Sequence, residues 1–217
     1  GETRTNMKII DPDNHTNTDI NEPGVTVSEE ILEKLLEELL AKVTKEDIVV
    51  ISGSMPKGSP KDTYYTWTKA FREKGAKVIL DADGDLLKAG LKASPYLIKP
   101  NNHELGALTG RALETPEEIA ETAAELMKEY GIGKVVVSMG GDGAVYVTKD
   151  KTIYAEGLKV PVGSTVGAGD SVVAALAVSE EEGKTLEETV RLSTAVGAAN
   201  VMCSGTQAAE YEVAVSY

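Results

Sequence analysis

Cysteine is almost missing from this chain: Cys203 stands alone among 217 residues. A single thiol excludes an intrachain disulfide and any cysteine-based metal cluster, and it fits a reducing cytoplasm. Histidine is nearly as scarce, with only His15 and His103. Ala107 occupies the position where an HExxH zinc helix starting at His103 needs its second histidine, so a zinc site of that kind is excluded. Positive charge is in deficit. Against 35 Asp and Glu there are 22 Lys and Arg, net −13, which removes the basic face that nucleic acid or an anionic membrane surface requires. Neither is expected as a partner, and an anionic ligand must be held locally. No apolar run reaches the roughly 18 residues of a membrane helix, and the N-terminus lacks a basic-then-apolar signal pattern. Two nucleotide fingerprints are missing as well. Nothing fits GxxxxGK[ST], which excludes a P-loop, and the absence of GxGxxG leaves a dinucleotide fold unsupported.

What is present is a chain 41% hydrophobic, enough for one sizeable core. It begins at Gly1 rather than Met and runs almost at once into alternating residues, which suggests that Gly1 is not a natural beginning. Residues 4 to 11 and 16 to 22 alternate around the turn-rich "DPDNHT" and predict a β-hairpin. After Ser28 as N-cap, Ile31, Leu32, Leu35, Leu36, Leu39, Leu40 and Val43 fall on one helical face. "DIVVIS" (47 to 52) is a continuous apolar run and predicts a strand covered on both faces. Ser59 and Pro60 predict the opening of a helix that Gly75 closes. Strands are expected at 76 to 81, 95 to 98 and 134 to 138, with helices near 83 to 90 and 101 to 109. Thr115 to Glu118 and Thr185 to Glu188 are capping boxes, opening helices that run to Tyr130 and to about Cys203. Between them, "GAVYVTKDKTIYAEGLKV" reads as a small antiparallel meander. The alternation of strand and helix predicts a mostly parallel sheet with helices on both faces.

Ligands of open α/β sheets collect at the carboxyl ends of the strands, and four loops there are unusual. "SGSMPKG" (52 to 58) is either an ordinary Gly/Pro/Ser turn or a hydroxyl- and lysine-bearing site. In "KPNNHE" (99 to 104), Asn101 or Asn102 is either a plain N-cap or part of a polar site with Lys99 and Glu104. "SMGGDG" (138 to 143) is a glycine turn between strands. "TVGAGD" (165 to 170) places Gly167, Ala168 and Gly169 before Asp170 at the start of an apolar helix. Small residues bring bare N–H groups and the positive helix end to one spot, which suits an anion. A carboxylate there either caps the helix or takes a proton.

With these loops in this order, and with "ETRTN" (2 to 6) and "LIKPNNHEL" (97 to 105), essentially the whole chain resembles the ribokinase/phosphofructokinase-B family of sugar kinases, most of all the branch that phosphorylates hexose phosphates. The resemblance implies a ribokinase-like three-layer α/β sandwich with a β-hairpin lid: residues 1–25 as part of the lid, 26–217 as the core. It implies transfer of phosphate from ATP to a hexose phosphate, fructose 1-phosphate ahead of tagatose 6-phosphate. Asp170 would be the base, and the N–H groups of Gly167, Ala168, Gly169 and Asp170 would stabilise the transferring phosphoryl group. Asn101 and Glu104 match an NxxE pair that organises Mg2+ and its waters. Lys99, Ser138, Gly140 and Gly143 would line the nucleotide phosphates and ribose, and Asn200 and Gly205 would border the adenine. Arg4 with Ser52, Gly53 and Ser54 would hold the acceptor's existing phosphate. The hairpin would also be a possible homodimer contact.

Family members carry an upstream segment with an early sugar-binding aspartate and a GGKGxN-like loop, and both are missing here. The chain also stops at "YEVAVSY", where a final strand is expected. The resemblance therefore implies a fragment or a gene truncated on its 5′ side. It leaves open the alternative of a non-catalytic nucleotide-binding remnant.

Overall fold

The computed structural model describes residues 2–11 and 16–216. Strands β1 (Asn6–Asp11) and β2 (Thr16–Asn21) pair antiparallel, Asn6 opposite Asn21, as the alternation predicts. The turn residues 12 to 15 of that hairpin, His15 among them, lie outside the described residues. Helix α1 (Glu29–Leu40) follows Ser28, whose side chain makes no capping bond. β3 (Ile48–Ser52), β4 (Lys77–Asp81), β5 (Leu97–Ile98) and β6 (Lys134–Ser138) are parallel neighbours in that order, and β7 (Ala144–Thr148) and β8 (Thr152–Ala155) complete the sheet antiparallel. The predicted meander is thus the far side of the main sheet. Between the strands run α2 (Thr63–Glu73), α3 (Gly84–Leu91), α4 (Asn102–Thr109) and α5 (Pro116–Tyr130). The chain ends with α6 (Ala168–Glu181), α7 (Leu186–Met202) and the short α8 (Tyr211–Ala214).

Strand order follows chain order from β3 to β6, so right-handed crossovers put their helices on one face. Alternation along the strands then divides the core. Val78, Leu80, Ile98, Val135 and Val137 pack with α2 to α5, whereas Ile79, Leu97, Val136 and Tyr146 meet Val173 and Leu176 of α6. The result is the expected three-layer sandwich. Both predicted capping boxes form, and Gly131 and Gly75 end their helices in positive-φ conformations.

Three expectations are corrected. β3 is not covered on both faces: it is the sheet edge among the described residues, only Ile51 is buried, and Val50 is 42% exposed. The predicted apolar face of α1 buries Leu32 and half-buries Leu36, Leu39, Leu40 and Val43, while Ile31 and Leu35 are exposed, because α1 packs beside that same open edge. Helix α2 opens at Thr63 rather than at Ser59: the Ser59 hydroxyl donates to the Pro56 carbonyl, and the Pro60 carbonyl accepts from both the N–H and the hydroxyl of Thr63, which closes a turn ahead of the helix.

Candidate active site

The parallel strands all deliver their carboxyl ends to one rim, and the sequence-predicted loops meet there. α6 starts at the same rim. Its N-cap is Gly167, with φ 81° and ψ −3°, a left-handed conformation that costs any L side chain about 1–2 kcal/mol and explains glycine at this position. Ahead of it, the buried Ser164 hydroxyl accepts from the Val166 N–H, and the N–H groups of Gly163 and Ser164 both donate to the Val201 carbonyl near the end of α7. The Ser164 side chain and α7 thereby hold the approach to the glycine turn. Asp170 occupies the first turn of α6, is exposed, and makes no side-chain bond among the described residues. The cap position belongs to Gly167, so a hydrogen-bonded capping role does not explain this carboxylate.

Beneath the helix start lies Lys99. Its side chain is buried, its Nζ is 3.2 Å from Oδ1 of Asp81, and a Cβ placed on Gly169 would stand 3.5 Å from the same Nζ. Burial of an ammonium is costly unless it is paired, and Asp81 supplies the pair. The other oxygen of Asp81 accepts from the Ser52 hydroxyl at 3.3 Å, while the Gly53 N–H donates to the Asp81 carbonyl at 3.1 Å. Next along the turn, Arg4 donates to the Ser54 hydroxyl at 3.2 Å. The base of the hairpin is held nearby by a parallel bridge between Thr26 and Lys57 and by the Val27 N–H on the Lys57 carbonyl. Arg4, the Ser52–Ser54 turn, Asp81, Lys99 and the α6 N-terminus therefore form one connected set. Sequence reading missed Asp81, although a carboxylate closing an apolar strand at the ligand-binding rim is a legible signal.

Asn101 and Glu104 do form a pair, and it is a capping box: Asn101 Oδ1 accepts from the Glu104 N–H at 2.8 Å and Glu104 Oε2 from the Asn101 N–H at 2.9 Å. Glu104 Oε1 takes no bond among the described residues. Asn101 is bridged to Ser138, whose N–H donates to the Pro100 carbonyl, so the α4 start and the glycine turn after β6 sit side by side. That turn is a single 3-10 turn, Gly140–Asp142. A Cβ on Gly140 would meet nothing, whereas one on Gly143 would lie 2.0 Å from the Ala155 carbonyl oxygen. Gly143 is thus needed for the close approach of the chain to residues 155–157, and Gly140 faces open space. Asn200 is 3% exposed, and its amide lies 3.8 Å from the Cβ position of Gly167. Its Nδ2 donates to the Gln207 carbonyl, and its Oδ1 has no hydrogen-bond partner among the described residues. Gly205 is exposed in the loop beyond.

The family profile described as "pfkB family carbohydrate kinase" matches residues 1–212. The 1-phosphofructokinase of Haemophilus influenzae is 39% identical over 199 residues, covering 91% of this chain and 63% of that protein. That of Rhodobacter capsulatus is 42% identical over 198 residues, covering 90% and 62%. A crystal structure of phosphofructokinase-2 from Escherichia coli superposes with a TM-score of 0.91 at 32% identity, covering 99% of this chain and 69% of that one. The chain thus spans somewhat under two thirds of the length of these two 1-phosphofructokinases.

Proposed function

Since the chain belongs to the pfkB family of carbohydrate kinases, we propose that it carries the phosphoryl-transfer centre of an ATP-dependent hexose-phosphate kinase, converting fructose 1-phosphate and ATP to fructose 1,6-bisphosphate and ADP. The observation that carries this reading is the α6 N-terminus: a left-handed glycine, two further small residues, an unpartnered exposed carboxylate and a buried ammonium directly beneath.

Asp170 takes the proton of the sugar's C6 hydroxyl as that oxygen bonds to the γ-phosphorus, and the bond from that phosphorus to the β-phosphate oxygen breaks to release ADP. The N–H groups at the start of α6 face the charge that develops on the phosphoryl oxygens. Lys99 adds a fixed positive charge, held in place by Asp81. Its burial strengthens its field on a phosphate relative to a solvated lysine. Glu104 Oε1 and the Asn101 amide are hard oxygen donors with one carboxylate between them. That set suits Mg2+ held largely through its own waters, which when bound would offset phosphate charge. Ser138 and Gly140 border the space for the nucleotide, with Gly143 keeping the turn in place. Asn200 backs the glycine turn, and Gly205 lies in the loop toward the adenine.

Arg4 and the Ser52–Ser54 turn hold the phosphate that the acceptor already carries, a planar guanidinium beside two hydroxyls being well matched to it. The hairpin bearing Arg4 acts as the lid. Met7, Ile9 and Ile20 are 51–56% exposed on it, and a second copy pairing through that apolar face would cover them. We place the reaction in the cytoplasm, where ATP is at hand.

The test is ADP release by the purified protein with ATP and Mg2+, comparing fructose 1-phosphate with tagatose 6-phosphate. Release that depends on fructose 1-phosphate supports the reading, and preference for tagatose 6-phosphate changes the acceptor. ATP binding without release under either sugar makes the chain a nucleotide-binding protein instead.

A further inference from the structure

Tyr64 and Tyr65 are adjacent at the start of α2 and are not equivalent. Tyr64 is 3% exposed and packs in the core with Phe71, whereas Tyr65 is half-buried at the surface. The Tyr64 hydroxyl is the one polar atom at the end of a buried ring, and it donates to the Gly53 carbonyl at 2.8 Å. Gly53 is the middle of the Ser52–Ser54 turn. Its flanking serines are the two whose hydroxyls reach Asp81 and Arg4.

We propose that Tyr64 is a positioning residue for the acceptor's phosphate: by fixing the Gly53 carbonyl, it sets where the Ser52 and Ser54 hydroxyls stand. This rests on the reading of that turn as the acceptor-phosphate loop.

Without the Tyr64 bond, the Gly53 carbonyl has no side-chain donor among the described residues. Gly53 has no side chain to pack, so the orientation of its two peptides rests on their backbone hydrogen bonds. The Gly53 N–H is tied to the Asp81 carbonyl, so one peptide is anchored to β4 on one side and the next to α2 on the other. Two anchors on adjacent peptides define the direction of the serine hydroxyls between and beside them. The phenol stays a donor through the working range, since burial, then Asp81 and Asp83, push its ionisation upward. The hydroxyl bonds the backbone of the turn and no catalytic side chain, so it acts on binding of the acceptor rather than on the chemical step.

The experiment is Tyr64→Phe in the purified protein, read by steady-state kinetics and by calorimetric binding of fructose 1-phosphate. We expect acceptor KM and Kd to rise about tenfold, the consequence of losing one buried hydrogen bond from a binding loop, with kcat and ATP KM unchanged. Phe71→Leu, which loosens the same helix without touching the turn, should lower Tm and leave acceptor KM alone. In a double-mutant cycle, Tyr64→Phe and Arg4→Ala should be non-additive in acceptor binding, because both act on one loop; this readout does not depend on stability. If Tyr64→Phe lowers only Tm, or lowers kcat, or is additive with Arg4→Ala, the inference is wrong while the kinase reading stands. If the parent protein itself binds no fructose 1-phosphate, both fall.

Discussion

The Lys99 ammonium lies 3.2 Å from Oδ1 of Asp81, and the Ser52 hydroxyl bonds Oδ2 of the same carboxylate. One aspartate thus joins the turn assigned to the acceptor's phosphate to the lysine beneath the α6 N-terminus. Asp81→Asn keeps the shape and one acceptor but leaves Lys99 buried without its counter-charge. Removing one partner of a buried pair costs about 3–5 kcal/mol. We expect the urea midpoint to fall accordingly. Adding Lys99→Met to Asp81→Asn should recover much of that stability and none of the turnover. Recovery of both would show that the pair is only structural.

Asp170→Asn tests the chemistry. The carboxylate makes no bond among the described residues, so its loss should leave folding nearly intact. General-base catalysis contributes about 10²–10⁴ in rate, and kcat should fall by that factor with little change in ATP affinity. A lowered Tm with near-full turnover would instead assign Asp170 to the helix end.

These two residues also mark what the sequence discloses. Asp170, Lys99 and the NxxE pair sit at or beside helix starts, where small or polar residues interrupt strong periodicity, and periodicity is set by local backbone geometry. Two of the three capping boxes among the described residues and all the central strands were legible for the same reason. Asp81 closes an apolar strand at the ligand-binding rim, which the sequence does show, but its pairing was not legible there, because its partner Lys99 lies 18 residues away, just past the end of β5. Coverage was equally illegible. "DIVVIS" has the composition of a doubly covered strand, yet the placement of β3 depends on which other strands lie beside it. Ser59–Pro60 has the pattern of a helix start, yet the helix begins at Thr63, because the Ser59 hydroxyl bonds the Pro56 carbonyl and the Pro60 carbonyl is engaged by Thr63 in a turn ahead of it. Gly143 reads as a turn glycine that the resemblance sets beside the nucleotide, and its necessity comes from the carbonyl of Ala155 across the hairpin.

At the other end of α6, Glu180 is buried and accepts from Lys77 at 3.0 Å, from Tyr96 at 2.6 Å and from Lys134. These donors stand at the amino ends of β4, β5 and β6. Burial pushes the Glu180 carboxyl up, but Lys134, Tyr96 and Lys77 together outweigh it and hold it below its ordinary value of 4.5. A carboxyl depressed in the folded state adds stability that is complete above the unfolded value and is lost as pH falls through the folded one. Stability should therefore decline below about pH 4.5 in part through this group. Glu180→Gln should remove that contribution to the slope and, because both lysines keep some solvent, cost about 2–3 kcal/mol at pH 7. Denaturation midpoints of the two proteins between pH 3 and 7 should converge toward the acid end. Parallel curves would show that Glu180 does not titrate with folding.

The open side of β3 leads to the last prediction. Among the described residues this strand bonds only to β4, so its outer N–H and C=O groups have no strand partner. Beside it runs a groove of about 460 Å³ between α1 and α2, lined by Leu39, Val43, Val49, Met55, Trp67 and Phe71. An unpaired edge next to an apolar groove is a template for another chain, since docking a strand satisfies the backbone and covers the side chains together. The 217-residue chain by itself should therefore associate as concentration rises, seen by light scattering coupled to size exclusion. Val50 is exposed on this edge and belongs to none of the residues assigned to chemistry. Val50→Lys should reduce the association, because a second strand would have to desolvate the ammonium. The hairpin offers a competing surface through Met7, Ile9 and Ile20. If Ile9→Lys abolishes association and Val50→Lys does not, the hairpin is the contact, and the edge is sufficiently shielded by its own twist and by α1. A chain that remains monomeric at all concentrations would remove both surfaces as interfaces.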